Sequence, residues 1–577
     1  MEHKTETGSP TEDQGEVVAQ RPQMPWLDHY PPGVDWAEDI EPQSLVALFD
    51  KSVENNSHRP CIDFFGAVTR YRDLGRDVTR LTAALQRRGI GRGHRIGLLL
   101  PNCPAYVTAY YAILKAGAVV VNLNPLYTTE ELSALAADAG VAAVVTLDLK
   151  TLHDKAAALL RAGSVSQLIV ASFARQLPLL KRLMFRLLRR ADVAKTGRRR
   201  RGRVLSFEAL LREKGAPKPL GLDPLEDIAL FQYTGGTTGR PRAAMLTHAN
   251  LAANVQQILR YVGGREPGKD RILGILPLFH VFAMTGVMNL AIAIGASMIL
   301  MPKFEVPGAV GLLRRKKPTI LPGVPTLFSA LLQYSRIRRS DLESLTLCIS
   351  GGASLPGEVR DRFTQFSGCR VIEGYGLSET SPVVTLNPLN GMEKDGSIGQ
   401  PLPLTIVTIR SLDDPHVEMP LGESGEICVR GPQVMKGYWN RPEETEAAFI
   451  DGYLRTGDVG SVDKDGFVFI IDRIKDLINV SGFKVYPRQI EEAIHTHPAV
   501  AEVTVVGVPD LYRGEVPKAF VKIKEGQELT SEALMRHLSS KLSRMEIPSA
   551  IEFRDNLPKT LIGKLSKKEL REAGSRQ

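Results

Sequence analysis

Between positions 234 and 239 the chain reads Thr-Gly-Gly-Thr-Thr-Gly, directly after the apolar run 228–231. Residues Thr234, Gly235, Gly236, Thr237, Thr238 and Gly239 suit one kind of chemistry well. Glycines let successive backbone N–H groups turn inward and the threonine hydroxyls add donors, so the loop can wrap a phosphate in neutral hydrogen bonds. Arg242, just beyond, supplies a cation. Two familiar phosphate patterns are missing: no Lys-Ser or Lys-Thr pair follows the last glycine, and no G-x-G-x-x-G is present. The same hexapeptide also suits a polar hairpin turn, so its partners elsewhere must decide.

Two further expected strands end in glycine loops. Residues 347–350 open on Gly351-Gly352-Ala353, and 370–373 on Gly374-Tyr375-Gly376-Leu377-Ser378-Glu379-Thr380. Ligands of open α/β sheets bind at the carboxyl ends of strands, so the three loops can share one pocket. Taken singly, the charged residues nearby are ambiguous. Asp458 or Arg473 reads equally as a turn or ion-pair residue, Glu379 as a helix-start carboxylate, His280 as a core histidine, and Lys564 as part of a solvated basic end.

The elements that would position them alternate. Helices are expected over 42–58, 69–89, 105–116 and 130–138, and short apolar strands over 95–100, 118–123 and 142–147. The rhythm resumes with strand 228–231, helix 250–259, strand 271–276 and strand 320–322, and argues for a parallel sheet covered by helices. After 345, segments 396–401, 406–410, 425–430 and 467–471 read as a small β subdomain. From about Ile474 the segment 476–486, a helix with Ile490 and Ile494, helix 531–542 and strands 501–508, 519–523 and 550–554 form a separate α+β unit.

At 577 residues and 43% hydrophobic content the chain builds more than one core. Five cysteines, widely spaced and without a C-x-x-C pair, read as buried thiols of a reducing compartment. The N-terminal 20 residues are polar and lack an apolar core of their own, which predicts a disordered tail there, within a polar extension over 1–40, and cytoplasmic residence. The net charge of +9 hides its distribution: residues 175–203 hold 12 Lys or Arg against the single acid Asp192. With the rest near balance, nucleic acid is not an expected partner. Within that segment Leu179, Leu180, Leu183, Met184, Leu187 and Leu188 share one half of a helical wheel, with Phe185 and Arg190 off their faces. A basic amphipathic helix followed by Arg198 to Arg201 fits an anionic lipid surface, the reading preferred over a solvated helix packed on the domain with a disordered Arg loop. The uncharged stretch 273–302 is long enough to span a bilayer, but Pro277, His280, Asn289 and three glycines divide it into a loop, a buried helix from about Ala283 and a strand.

The motifs together resemble a known family. Tyr-Thr-Gly-Gly-Thr-Thr-Gly at 233–239, Pro-Leu-Phe-His at 277–280, Gly-Tyr-Gly-Leu-Ser-Glu-Thr at 374–380, Tyr-Leu-Arg-Thr-Gly-Asp at 453–458, Asp-Arg-Ile-Lys-Asp at 472–476 and Pro-Lys-Thr-x-x-Gly-Lys at 558–564 occur in the order seen in acyl- and aryl-CoA synthetases, the adenylate-forming enzymes. Within these the chain looks most like bacterial long-chain fatty-acid CoA ligases, through Asn-Leu-Asn-Pro-Leu-Tyr at 122–127, Gly-Pro-Gln-Val-Met-Lys-Gly-Tyr-Trp at 431–439 and Ser-Gly-Phe-Lys-Val-Tyr-Pro at 481–487. The resemblance implies an α/β fold: a large adenylating domain over 41–472, of mixed α/β sheets with a β subdomain and the basic insertion 175–203, then a small mobile α+β domain over 473–577.

It also implies roles. Tyr233 to Gly239 with Arg242 would hold the phosphates of ATP, and Glu379 a Mg²⁺ ion. Gly352, Ala353, Glu373, Gly374, Tyr375 and Ser378 would form the adenine and α-phosphate wall, Asp458 would take the ribose hydroxyls, and Arg473 would be its companion. Lys564 would bridge acyl and phosphate oxygens, His280 would lie near the substrate carboxylate, Lys475 would be the hinge, and Ser481 and Gly482 would line the coenzyme A channel. By position alone Val281, Phe282, Met284, Val324, Pro325 and Phe328 are candidates for the acyl tunnel. The implied substrates are a fatty acid, ATP and coenzyme A, with a homodimer left open; the expected location, from the cysteines, the N-terminus and the basic segment, is cytoplasmic, peripheral on the inner membrane face through 179–203. Rival readings are a medium-chain or aryl-CoA ligase, an acyl-AMP ligase loading a carrier protein, and a non-catalytic fatty-acid binding or transport protein. Two departures stand out: Arg242-Ala243 where the family usually has Lys-Gly, and the acid Glu546 in 545–548 where many relatives have a base.

Overall fold

In the computed structural model, which describes residues 23–194, 202–234, 241–263, 266–559 and 567–574, the alternating strands and helices build two large sheets rather than one. Among the described residues one has eight strands and the other nine; joined edge to edge they would exceed the ~10 strands that a twisted open sheet tolerates. In the first, Val204–Ser206, Gln167–Ala171, Val141–Leu147, Arg95–Leu99, Val119–Asn122 and Ile228–Thr234 run parallel, and Arg242–Thr247 returns antiparallel to the last of them. Gly437–Tyr438 closes that edge, with Tyr438 opposite Ala244.

The second sheet has a parallel centre, Val371–Gly376, Leu347–Gly351, Ile320–Gly323, Arg271–Gly274, Ser297–Leu300 and Pro60–Phe64. Covered on both faces, such strands are apolar throughout: Leu347–Gly351 is buried at every position. Helices supply the cover. Tyr71–Arg87 buries Leu74, Val78, Leu81 and Leu85, one stripe at helical spacing.

The uncharged stretch is core. A helix from Val281 to Ala293, with a π turn over Met284–Asn289, is followed by the strand Ser297–Leu300. No described helix is long and apolar enough to cross a membrane.

The antiparallel β subdomain consists of Ile406–Arg410, Gly425–Arg430, Tyr453–Val462, Phe449–Ile450 and Val468–Arg473. Segment 396–401 joins it only at its start, where Ser397 bridges Phe469 and Ile398 packs among Val407, Ile409, Ile427 and Val468. Gln400–Pro401 instead pairs with Val383–Leu386 at the edge of the nine-stranded sheet. Gly399 allows this, since a Cβ there would lie 2.0 Å from the backbone of Leu386 and its φ is +93°. The C-terminal sheet, Phe483–Val485, Ile478–Val480, Gly514–Ile523, Val500–Asp510 and Ala550–Phe553, carries its own core with Ile490, Ile494, Leu534 and Leu538 from two helices. The chain is therefore α/β, a large N-terminal domain of mixed sheets followed by a small C-terminal domain.

Two elements that the sequence reading leaves out are the hairpin Pro60–Phe64/Ala67–Arg70 and the helix Lys150–Ala162. The basic segment does form a helix, Leu179–Leu188. Phe185, which the wheel places off the apolar face, is the side chain that packs inward, on Phe173 at 5.1 Å between ring centroids. All five cysteines are buried thiols.

Candidate active site

Alternation along Ile228–Thr234 sends its last two side chains to opposite faces. Tyr233 leaves the site: its hydroxyl donates to Asp138 Oδ2 at 2.7 Å. Thr234 faces inward and donates to Glu379 Oε1 at 3.4 Å. Residues Gly235, Gly236, Thr237, Thr238 and Gly239 of the glycine-threonine loop, and Lys564, lie outside the described residues.

Glu379 sits in a short turn, Ser378–Thr380, and is buried. Its carboxylate also accepts from Tyr438 Oη at 2.8 Å, and its carbonyl accepts from the Met435 N–H. The Tyr438 ring lies under the Arg242 guanidinium, 4.4 Å from its centroid, while Arg242 Nη1 reaches Glu444 Oε2 at 3.1 Å. Arg242 Nε is buried with no partner among the described residues. Arg242 is thus tethered by one ion pair and one ring stack, and its planar guanidinium suits the stack better than a lysine ammonium would. Tyr438 lies in the 431–439 motif, which assigns it no role, and Glu444 carries no local sequence signal. The pairing of Tyr438 with Ala244 brings both to the site.

A second cluster forms where Val371–Gly376 meets the β subdomain. Tyr375 Oη donates to Asp458 Oδ2 at 2.6 Å, and Arg473 Nε to Asp458 Oδ1 at 2.8 Å. Arg473 and Asp458 face each other across the strand pair Tyr453–Val462/Val468–Arg473. Burial drives the Tyr375 hydroxyl far above its ordinary range, with the Asp458 charge adding to it, so it stays a donor. A carboxylate offers about four lone-pair positions, so Asp458 can still accept two more hydrogen bonds.

Gly374 pairs with Gly351, which places the loop of Gly352 and Ala353 beside this strand end, both residues exposed. Glu373 accepts from the Leu355 N–H at 3.1 Å, and burial pushes its carboxyl up to about 7 against that bond and the pull of Arg488 and Arg360. His280 caps the helix that follows, its Nδ1 accepting from the Phe282 N–H at 3.3 Å. Gln232 donates to the Phe279 carbonyl at 3.4 Å, tying this segment to the strand that ends at Thr234. Within the helix, Thr285 Oγ1 donates to the Ser381 carbonyl at 2.8 Å, beside the Glu379 turn. The Phe282 ring lies over Gly351, whereas Phe328 packs on Phe363 at 5.0 Å, away in the core.

Lys475 lies in the turn Ile474–Asp476, and burial, then Arg473, lowers its ammonium pKa. Arg571 grips that turn through the Lys475 carbonyl at 3.3 Å and Asp476 at 2.9 Å. Ser481 and Gly482 form an exposed hairpin turn with φ of +52° and +87°. The contacts from this end of the chain to the large domain include Arg488 to Ser354 Oγ at 2.6 Å and Lys484 to Asp413 at 3.2 Å. No cluster of three or more His, Cys, Asp or Glu among the described residues could hold a metal. Mg²⁺ needs none, because one or two carboxylates plus substrate phosphates ordinarily hold it, and Glu379 with the Thr234 hydroxyl offers hard oxygen donors of that kind.

Known proteins resemble the chain in sequence and in fold. Residues 49–439 match the model of the AMP-binding enzymes, and 489–564 that of the AMP-binding enzyme C-terminal domain. A long-chain-fatty-acid–CoA ligase of Bacillus subtilis (strain 168) is 41% identical over 559 residues, 95% of this chain and 98% of that protein. The ATP-bound MatB of Rhodopseudomonas palustris superposes with a TM-score of 0.80 at 30% identity, over 92% of this chain and 99% of that one. The O-succinylbenzoate coenzyme A synthetase of Bacillus subtilis, solved with ATP and magnesium, does so with 0.74 at 25% identity, over 91% and 98%.

Proposed function

The chain belongs to the AMP-binding enzyme family, and from that premise we propose its reaction: ATP-dependent activation of a long-chain fatty acid through an acyl-adenylate, then transfer to coenzyme A, giving acyl-CoA, AMP and pyrophosphate. A carboxylate is a poor acyl donor because its leaving group would be oxide. Attack on the α-phosphate converts that oxygen into part of AMP, which the thiolate of coenzyme A can displace. Both steps gather negative charge, so the site must offset it with fixed donors and cations.

One observation supports this most: Asp458, its side chain 4% exposed, is held by Tyr375 and Arg473 with acceptor capacity left over, and Tyr375 belongs to the strand that leads into the Glu379 turn. A buried carboxylate so fixed suits a pair of vicinal ribose hydroxyls. Glu379 and the phosphates of ATP would hold Mg²⁺, which supplies charge neutralisation at the transferring phosphate. Thr234 keeps Glu379 in place from one side and Tyr438 from the other. Gly352, Ala353, Glu373, Gly374, Tyr375 and Ser378 would wall the adenine and α-phosphate, His280 would stand near the substrate carboxylate, and Lys564 would bridge acyl and phosphate oxygens. Domain 473–577 would turn about Lys475 against 41–472 between the half-reactions and bring Ser481 and Gly482 to the coenzyme A channel. The polar contacts Arg488–Ser354 and Lys484–Asp413 suit such a movement, since they exchange for water at little cost.

Purified protein given ATP, Mg²⁺ and palmitate is expected to release pyrophosphate, and to consume coenzyme A when it is added. Silence across acids of graded length would sink the enzyme reading in favour of a binding or transport protein. Pyrophosphate without thioester would favour the carrier-loading alternative.

A further inference from the structure

We infer that the outward face of helix Leu179–Leu188 and the adjoining hairpin turn at Phe65 form one surface that docks on an anionic lipid membrane. This goes beyond the acyl-CoA reading and does not depend on it.

The helix is mounted with its apolar side out. Leu179, Leu180, Leu183, Met184, Leu187 and Leu188 are each 50–80% exposed, and no residue of the helix is fully buried. An amphipathic helix on a globular protein ordinarily turns its apolar stripe inward; this one is held in the opposite rotation. Phe185 stacks on Phe173, and the Arg182 guanidinium donates to the carbonyls of Ala174, Arg175 and Leu177 at 2.9–3.2 Å. Those bonds fix the roll of the helix, so the exposed leucines are a consequence of specific packing.

The hairpin turn extends the same surface. Lys181 Nζ donates to the Phe65 carbonyl at 2.8 Å and lies over the Phe65 ring at 5.6 Å. Rings in contact run from Phe65 through Phe64 and Phe173 to Phe185, joining the turn to the helix across more than a hundred positions of sequence. Phe65 is 41% exposed and Val68, on the returning strand, 53%. Phe65 also holds a φ of +54°, a conformation that a bulky residue adopts only at a cost. The usual occupant of such a turn is Asn or Asp followed by glycine. An aromatic residue kept in a strained position and left in solvent points to a task outside the fold.

Charge selects the occupant. The helix and its end carry Lys181, Arg182, Arg186, Arg189 and Arg190 against Asp192, and Arg186, Arg189 and Arg190 are exposed beside the leucines. A second copy of the chain pairing through this face would set like charges against each other. An anionic bilayer accepts both features at once, leucines at the acyl boundary and arginines among the head groups.

The test is sedimentation of the full-length protein with phosphatidylcholine vesicles, with and without phosphatidylglycerol. Binding is expected only with phosphatidylglycerol, falling steeply as salt screens the head groups. The pair Leu183→Glu/Leu187→Glu should weaken it about tenfold or more, by removing apolar area and adding repulsion. Phe65→Asn should also weaken binding while raising Tm, because asparagine tolerates positive φ; that opposite pair of signs would not come from a damaged fold. The inference is overturned by wild-type protein that ignores the charged vesicles, by equal binding to neutral ones, or by a Leu183→Glu/Leu187→Glu variant that still binds. A variant that instead splits a dimer, without vesicle binding by either form, would assign the face to a second copy and overturn it equally.

Discussion

Tyr438 fixes how Glu379 is held, since its hydroxyl is the closer of the two side-chain donors to that buried carboxylate. Tyr438→Phe keeps the ring under Arg242 and removes only the 2.8 Å bond. A hydrogen bond to a charged group contributes about 1.5–3 kcal/mol, so the Mg²⁺ and ATP concentrations needed for half-maximal pyrophosphate release should rise by roughly tenfold, with little change in Tm. Glu373 gives a pH prediction. Its carboxyl, pushed up to about 7 in the folded protein, lies above its unfolded value of about 4.3, so its stabilising contribution is complete below the unfolded value and is lost as pH rises through 7. Glu373→Gln keeps an acceptor for the Leu355 N–H without that titration. Its Tm should therefore gain on wild type between pH 5 and pH 8; a constant difference would refute the assignment. The glycine loops, through their composition, and Asp458 and Arg473, through the order of the motifs, were legible in sequence as candidates. Tyr438, Glu444 and the tether on Arg242 were not, since strand pairing alone makes them neighbours.

Elements were readable where physics makes them simple. A parallel strand covered on both faces must be an apolar run, and Leu347–Gly351 or Ile320–Gly323 reads as one. The hairpin Pro60–Phe64/Ala67–Arg70 was hidden because Asp63 breaks its run and Phe65-Gly66 is not a common turn pair. The roll of helix Leu179–Leu188 was likewise out of reach, because backbone carbonyls far from its wheel decide it. The turn Ile474–Asp476 carries a prediction of its own. Proline fits the first-turn φ of a 3₁₀ segment but fixes it. Lys475→Pro should therefore keep acid-dependent pyrophosphate release within a few-fold and lower thioester formation about tenfold or more, if rotation there separates the half-reactions. Equal losses in both would remove Lys475 from the role of hinge.

For the molecule as a whole, the domain order and the basic insertion were visible from composition, but the division into two large sheets was not, since alternation looks the same in one sheet or two. The five cysteines have a consequence at this scale. Cys61, Cys103, Cys348, Cys369 and Cys428 are scattered through the large domain, all buried, and burial pushes the Cys103 and Cys428 thiols up to about 12. Only a thiolate attacks a disulfide, so an aromatic disulfide reagent should find no reactive sulfur in the native protein at neutral pH. Labelling should proceed at the rate at which the large domain opens and should track loss of activity in denaturant; prompt labelling of native protein would contradict the packing. For a protein whose proposed second substrate is itself a thiol, shielded sulfurs mean that oxidised coenzyme A has nowhere to attach, and the same shielding makes them a built-in clock for unfolding.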